Sequence, residues 1–289
     1  MNMTEKLHTA RPLAGGPVAQ ELCRELARRS QALQERGVTP CLAVLRAGTE
    51  PDALAYEKSI AARCRSCGVA LRQVALPDEA ALPEAIRQLN GDESVHGVLL
   101  LRPLARRETE ADCARLLRPE KDVDGMTAAS LAGLLSGEGG YAPCTAQACL
   151  ELLHYYGIDP AGKRAAVIGR SLVVGQPAAL LLQRENATVT VCHRHTADLA
   201  AICRQADILI SAAGRPGLVD ASCLRPGQVV VDVGLQPGPD GRLLGDVCRE
   251  AAESTVAALS GGLGAVTTAV LLKHCLEAAE KAPGHCAPM

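Results

Sequence analysis

With 289 residues, the chain is long enough for one large or two medium domains. Its 30 basic and 32 acidic side chains leave a formal net charge of -2, which gives no global attraction to nucleic acid or to an anionic membrane. Met1-Asn2-Met3-Thr4-Glu5-Lys6 lacks an apolar core and no apolar run reaches the roughly 20 residues needed to cross a bilayer. The expectation is a cytoplasmic protein with neither a nucleic-acid nor a membrane partner.

The 13 cysteines are scattered through the chain rather than spaced as a disulfide framework. Cys64-Arg65-Ser66-Cys67 is the only CxxC and has no second pair at zinc-site spacing, so no metal is expected and the thiols read as small buried apolar groups. Phe and Trp are absent and Tyr numbers four, which leaves Leu, Val, Ile, Ala and Cys to build the core.

In chain order, Val18, Leu22, Leu26 and Leu33 recur at helical spacing and predict an amphipathic helix over 17–36. Cys41-Leu42-Ala43-Val44-Leu45 predicts a strand closed by Gly48, followed by a helix from about Asp52 to Cys67, a strand over 70–76, a helix over 80–89 and a strand over 96–101. This alternation marks an α/β unit. Its end is placed near Gly137-Glu138-Gly139-Gly140, where glycine and charge interrupt the pattern.

The second half opens on Ala165-Ala166-Val167-Ile168-Gly169-Arg170-Ser171, then Val174-Gly175-Gln176-Pro177 and Ala178-Ala179-Leu180-Leu181-Leu182. This reads as a strand, a glycine turn and a helix start, the arrangement that presents backbone N–H groups to a phosphate. Pro177 suits a first helical turn, and a serine stands where the common dinucleotide fingerprint has its second glycine. Strands are predicted over 187–193, 206–214 and 229–234, and a helix over 264–279, with a frayed tail from Pro283 to Met289. Continuous apolar strands alternating with helices indicate a parallel sheet covered on both faces. The second strand ends at His193-Arg194-His195-Thr196, where a ribose is met in such folds. Arg194 there, with Arg170 in the first turn, suits a 2′-phosphate and favours NADP over NAD.

Lys121-Asp122-Val123-Asp124-Gly125, taken alone, reads as a solvated turn. Together with Pro143-Cys144-Thr145, Val167-Ile168-Gly169-Arg170-Ser171, Val174-Gly175-Gln176-Pro177, Val231-Asp232-Val233-Gly234, Gly245-Asp246-Val247 and Gly261-Gly262-Leu263-Gly264, it carries a wider likeness. Over nearly its whole length the sequence resembles the bifunctional methylenetetrahydrofolate dehydrogenase/cyclohydrolase (FolD) family. The resemblance implies two α/β domains with a folate cleft between them: a folate and catalytic domain over 1–140 with the C-terminal helix of about 265–282, and a Rossmann-like NADP domain over 141–264. It implies oxidation of 5,10-methylenetetrahydrofolate to the methenyl cation, hydrolysis to 10-formyltetrahydrofolate, and a homodimer. Carried over by motif, Asp124 contacts the pterin, Tyr56 stacks on the folate, and Gly261 and Gly262 lie against it. Gly169, Arg170, Ser171, Val174, Gly175, Arg194 and Leu235 line the NADP site.

The chain departs from the family at four places. The family lysine four residues after Tyr56 is Ile60, and the family glutamine ending the third strand is Leu101. Lys58 is no substitute, because two helical residues turn it by about 200°, and Arg63, one turn beyond, holds its proton too tightly for shuttling near neutral pH. The family's Pro-Gly-Gly segment reads Ser260-Gly261-Gly262. Arg102 stands where the family has an aliphatic residue, and is either the mark of an altered acidic contact or a solvated strand-end arginine. Hydride transfer needs positioning but no proton transfer, whereas hydrolysis needs an acid and a base. The expectation is therefore an NADP-dependent dehydrogenase with a weak or lost cyclohydrolase step. The alternatives are a catalytically silent paralogue that binds nucleotide or folate and acts through a partner, and a dehydrogenase for a different pterin.

Overall fold

The computed structural model describes residues 12–238, 243–254 and 257–282; the tail read as frayed and the first six residues lie outside these. Strand β1 (Leu13–Ala14) leads into α1 (Gly15–Glu35), then β2 (Cys41–Ala47), α2 (Pro51–Cys67), β3 (Ala70–Leu76), α3 (Leu82–Gly91), β4 (Gly97–Leu100), α4 (Arg107–Leu116) and α5 (Ala128–Ser136). There follow α6 (Cys144–Tyr155), β5 (Arg164–Ile168), α7 (Gly175–Arg184), β6 (Thr188–Cys192), α8 (Leu199–Gln205), β7 (Ile208–Ser211) and β8 (Val229–Asp232). The chain continues through β9 (Leu235–Pro237), β10 (Leu243–Gly245), α9 (Arg249–Ser254) and β11 (Ala258–Gly261) to α10 (Leu263–Lys281). Among the described residues, no helix is long and apolar enough to cross a membrane.

Two compact α/β units result. One comprises Ala19–Cys144 and the chain from Thr268 onward; the other comprises Thr145–Thr267 and the residues up to Val18.

The first unit is built on a parallel sheet in the order β3-β2-β4. Central β2 is apolar without alternation, and Leu42, Ala43, Val44 and Leu45 are all wholly buried, as expected of a strand covered on both faces. Leu82, Ile86 and Leu89 of α3 and Cys113 of α4 pack against it. Helix α2 starts on a first-turn proline and ends at Gly68 in the left-handed conformation (φ 69°). It is tied to the sheet by buried Glu57, which accepts hydrogen bonds from Arg46 of β2 (2.8 Å) and Gln73 of β3 (3.0 Å). Cys64 and Cys67 lie on its buried face.

The turn at 121–125 is not solvated. Lys121 is 6% exposed and Asp122 fully buried, and each is hydrogen-bonded to backbone groups. The Lys121 ammonium donates to the Leu89 and Asp92 carbonyls, both at 2.7 Å. Asp122 accepts from the Met126 and Thr127 amides (2.9 and 2.8 Å) and from the Ser130 hydroxyl (2.6 Å), closing the start of α5.

The second unit carries a six-stranded parallel sheet in the order β1-β11-β8-β7-β5-β6. After β5 the chain places β6 on one side and β7 and β8 on the other, so the order reverses between β5 and β7. In open α/β sheets that reversal opens a crevice at the carboxyl ends of the strands. Strand β1 pairs Leu13 with Ser260 and Ala14 with Gly261, and the Tyr156 hydroxyl donates to Ala14 O at 2.9 Å. Residues 12–18 thus pack with the second unit, whereas the sequence places them in the first; two residues are too few to show a period.

Replacing Asp122 by alanine leaves two amides and a hydroxyl without their acceptor, at a cost of about 3 kcal/mol. Urea denaturation at neutral pH is expected to show this as a lowered midpoint at unchanged slope.

Candidate active site

Tyr56 and Ile60 stand one turn apart on α2, on one helical face. They differ sharply in environment: Tyr56 is 39% exposed and Ile60 wholly buried. Leu101, directly after β4, is also buried, and neither it nor Ile60 carries a proton-transferring group. Lys58 is exposed. Arg63 donates to Cys23 Sγ on α1 at 3.4 Å.

Asp124 follows from local backbone geometry. Gly125 has φ 67°, and a Cβ there would come within 2.5 Å of Tyr141 O, so only glycine lets this turn lie against the Tyr141–Pro143 segment. The Cys144 thiol closes the contact on Val123 O at 3.2 Å, and the same carbonyl lies 2.9 Å from His274 Nδ1. Arg102 donates to Asp124 Oδ2 at 2.7 Å and to Glu110 Oε1 at 3.2 Å. Arg102 is therefore neither solvated nor awaiting an acid; it is engaged by two carboxylates of its own unit. Burial, and secondarily the Asp124 charge, push the Tyr56 phenol up to about 12. Burial also raises Asp124 above the usual carboxylate range, with Arg102 opposing it.

The second unit holds the other predicted residues. Gly169 (φ 120°) follows β5, and a Cβ there would meet Ala212 O at 2.4 Å. A Cβ on Gly175, the first residue of α7, would stand 2.1 Å from Gly169 O. The two glycines thus allow strand end and helix start to touch. Ser171 turns the chain between them: its hydroxyl accepts from Val174 N (3.2 Å) and its carbonyl from Gln176 N (3.0 Å). Ile168 pairs with Cys192 across β5 and β6, so Arg170 and Arg194 each stand two residues beyond aligned neighbouring strand ends, and both are exposed. Thr196 Oγ1 accepts from His193 N at 2.8 Å, holding the turn that carries Arg194. Leu235, on β9, is 54% exposed. Gly261 and Gly262 close β11 and start α10 in this unit, while Tyr56 and Asp124 belong to the other.

Beyond the candidates assigned a role from sequence, two acids organise the strand ends. Asp246 is fully buried and accepts from Ser211 Oγ (3.0 Å) and from the amides of Ala213 (2.7 Å), Gly214 (3.2 Å) and Arg215 (2.6 Å). Asp232 accepts from the amides of Gly234 (3.2 Å), Asp246 (3.1 Å) and Val247 (3.1 Å). The Ser260 hydroxyl accepts from Asp232 N at 2.8 Å. The signal for this network is an acid beside a glycine at each place: a Cβ on Gly234 or Gly245 would lie 2.1 or 2.0 Å from the facing carboxylate.

Residues 13–124 match the catalytic domain of tetrahydrofolate dehydrogenase/cyclohydrolase, and residues 143–283 match its NAD(P)-binding domain. The chain belongs to that family. It is 42% identical over 280 residues to the bifunctional protein FolD of Carboxydothermus hydrogenoformans, covering 94% of this chain and 98% of that one. The structure superposes with a TM-score of 0.88 on the bifunctional FolD of Campylobacter jejuni, which is 35% identical, over 93% of this chain and 98% of that one. With the Trypanosoma brucei FolD, complexed with NADP cofactor and inhibitor, the TM-score is 0.85 at 35% identity, over 92% and 96% of the two chains. The second unit thus carries the family's NAD(P)-binding domain.

Two outcomes follow from this geometry. Gly175→Ala forces its new methyl onto a backbone carbonyl, at about 1–3 kcal/mol of strain, and is expected to abolish the thermal shift that NADP gives the unchanged protein. Burial, the largest effect, raises Asp232 from 3.8 to about 6. The folded state then holds a proton that the unfolded state has released, so this contribution is fully present below about pH 4 and is lost as pH rises to 6. Asp232→Asn removes the slope: between pH 4 and pH 7 the unchanged protein is expected to lose more stability in urea than the variant does.

Proposed function

We propose that this chain is an NADP-dependent 5,10-methylenetetrahydrofolate dehydrogenase whose cyclohydrolase step is weak. The observation that carries the reading is the pairing of an intact polar cluster, Tyr56 with Asp124, beside two buried aliphatic side chains, Ile60 and Leu101, at the positions where the family resemblance expects lysine and glutamine.

The residues of the NAD(P)-binding domain fit the cofactor. The glycine cradle of Gly169 and Gly175 leaves backbone close to any group lying over the turn, and α7 starts there with its amide dipoles aligned. Arg170 and Arg194 suit a 2′-phosphate, in keeping with the NADP bound in the Trypanosoma brucei relative. Ser171, Val174 and Leu235 complete the candidate lining. When bound, NADP supplies the acceptor for a hydride from the substrate methylene. Asp124 receives the pterin N–H donors, Tyr56 offers a flat face, and the buried carboxylate network holds the strand-end loops still. Orientation of two ligands supplies most of what hydride transfer requires.

Hydrolysis of the methenyl product requires a water to lose a proton and a ring nitrogen to gain one, and such help is worth on the order of 10²- to 10⁴-fold. Ile60 and Leu101 provide neither. The Tyr56 phenol, pushed up to about 12, is no base near neutral pH. The homodimer implied by the resemblance belongs to the same reading, and sedimentation velocity tests it.

Purified protein mixed with NADP and methylenetetrahydrofolate is expected to form NADPH while methenyltetrahydrofolate accumulates, followed as two separate absorbances. Hydrolysis of added methenyltetrahydrofolate at the rate of a lysine-bearing relative would refute the weak cyclohydrolase, and absence of NADPH would refute the dehydrogenase.

A further inference from the structure

Three charged side chains meet beyond the carboxyl end of β4. The Arg102 guanidinium is 19% exposed and bridges Asp124 (20% exposed) and Glu110 (33% exposed). Nη2 serves Asp124 at 2.7 Å and Nη1 serves Glu110 at 3.2 Å, so the fork is held at both prongs, one by α4 and one by the 123–125 turn. The other groups facing Asp124 are Tyr56 on α2, Cys144 at the start of α6, and Asp122 in the same turn. Among the described residues that face it, Arg102 is thus the cation.

Asp124 has to accept from the adjacent N–H donors of a pterin edge, which only an ionised carboxylate does with both oxygens. Burial works against that ionisation. Orientation is the second need, since a carboxylate free to rotate loses the parallel geometry.

Resting on the folate reading above, we propose that Arg102 is a positioning residue for substrate recognition: it fixes the plane of Asp124 through Oδ2 and turns Oδ1 and the remaining lone pair of Oδ2 toward a heterocycle that presents adjacent N–H donors. Glu110 anchors the arginine for this task. Where the family resemblance expects an aliphatic residue at 102, this chain carries the arginine that makes the contact with Asp124 and Glu110.

The test compares the unchanged protein with Arg102→Leu, Arg102→Lys and the double variant Arg102→Leu/Glu110→Gln, in saturating NADP from pH 5.5 to 8. The double variant removes the repulsion that the leucine alone would leave between two carboxylates. For both leucine proteins the expected result is a KM for methylenetetrahydrofolate raised about tenfold at nearly unchanged kcat, with the acid limb of kcat/KM moved to higher pH. Arg102→Lys is expected to recover the pH profile but only part of the affinity, because it keeps the charge and loses the fork. A folded leucine variant with unaltered KM and unaltered acid limb would overturn the proposal, as would a fall in kcat alone. Carboxyl ¹³C NMR titration, with Asp124→Asn to assign the signal, separates this from failure of the folate reading. If the unchanged protein forms no NADPH, the substrate assignment falls, while a higher titration midpoint of Asp124 in the leucine variants still establishes the hold of Arg102. An unmoved midpoint removes that as well.

Discussion

A buried carboxylate must be given hydrogen bonds, and at the strand ends and turns of this fold most of the donors are backbone amides. Asp122, Asp232 and Asp246 each sit at the end of a strand or the start of a helix and accept from two or more amides. Asp122 and Asp246 are fully buried, so their bonds are strengthened and an unmade one would carry the full desolvation penalty. The consequence is positional: Asp122 fixes the turn from which Asp124 projects, and Asp246 with Asp232 fixes the loops after β7, β8 and β10.

Glycine makes the arrangement possible. Gly234 and Gly245 lie so close to the facing carboxylates that a methyl group would overlap them, and Gly169 and Gly175 allow backbone to touch backbone where β5 passes into α7. Close approach, more than left-handed conformation, is the requirement at Gly175, Gly234 and Gly245. The acids and glycines act as units, so altering one member removes support from several amides together.

Other charges of the first unit are held by side chains or carbonyls instead of backbone amides. Glu57 is tied down by Arg46 and Gln73, Lys121 by two carbonyls, and Asp124 by Arg102. The first two are structural: their polar atoms are consumed in holding α2 and α3. Asp124 keeps acceptor capacity because the guanidinium engages one oxygen. Ile60 and Leu101 of the same unit are buried and carry neither an acid nor a base.

Sequence alone determined the parts whose cause is local. The apolar runs of β2, β4, β5, β7 and β8 announced a covered parallel sheet, the glycine turn before α7 announced the close strand-to-helix connection at Gly169 and Gly175, and the identities of Ile60, Leu101, Arg170 and Arg194 were legible at once. Strands β1 and β11 were not, because their pairing with each other and with β8 is made by backbone from distant parts of the chain and leaves no side-chain period. Helix α6 was missed since Ala146, Ala148, Cys149, Leu150, Leu152 and Leu153 bury it nearly all round, erasing the amphipathic stripe. Lys121 read as solvated because its partners are the carbonyls of Leu89 and Asp92, which no composition reveals. Tertiary structure alone decided that Arg102 meets Asp124 and Glu110, that Arg63 turns to Cys23, and that Asp232 and Asp246 share a network: side-chain charge is written in the sequence, but the partner that gives it a role is chosen by which segments the fold brings within 3 Å or so.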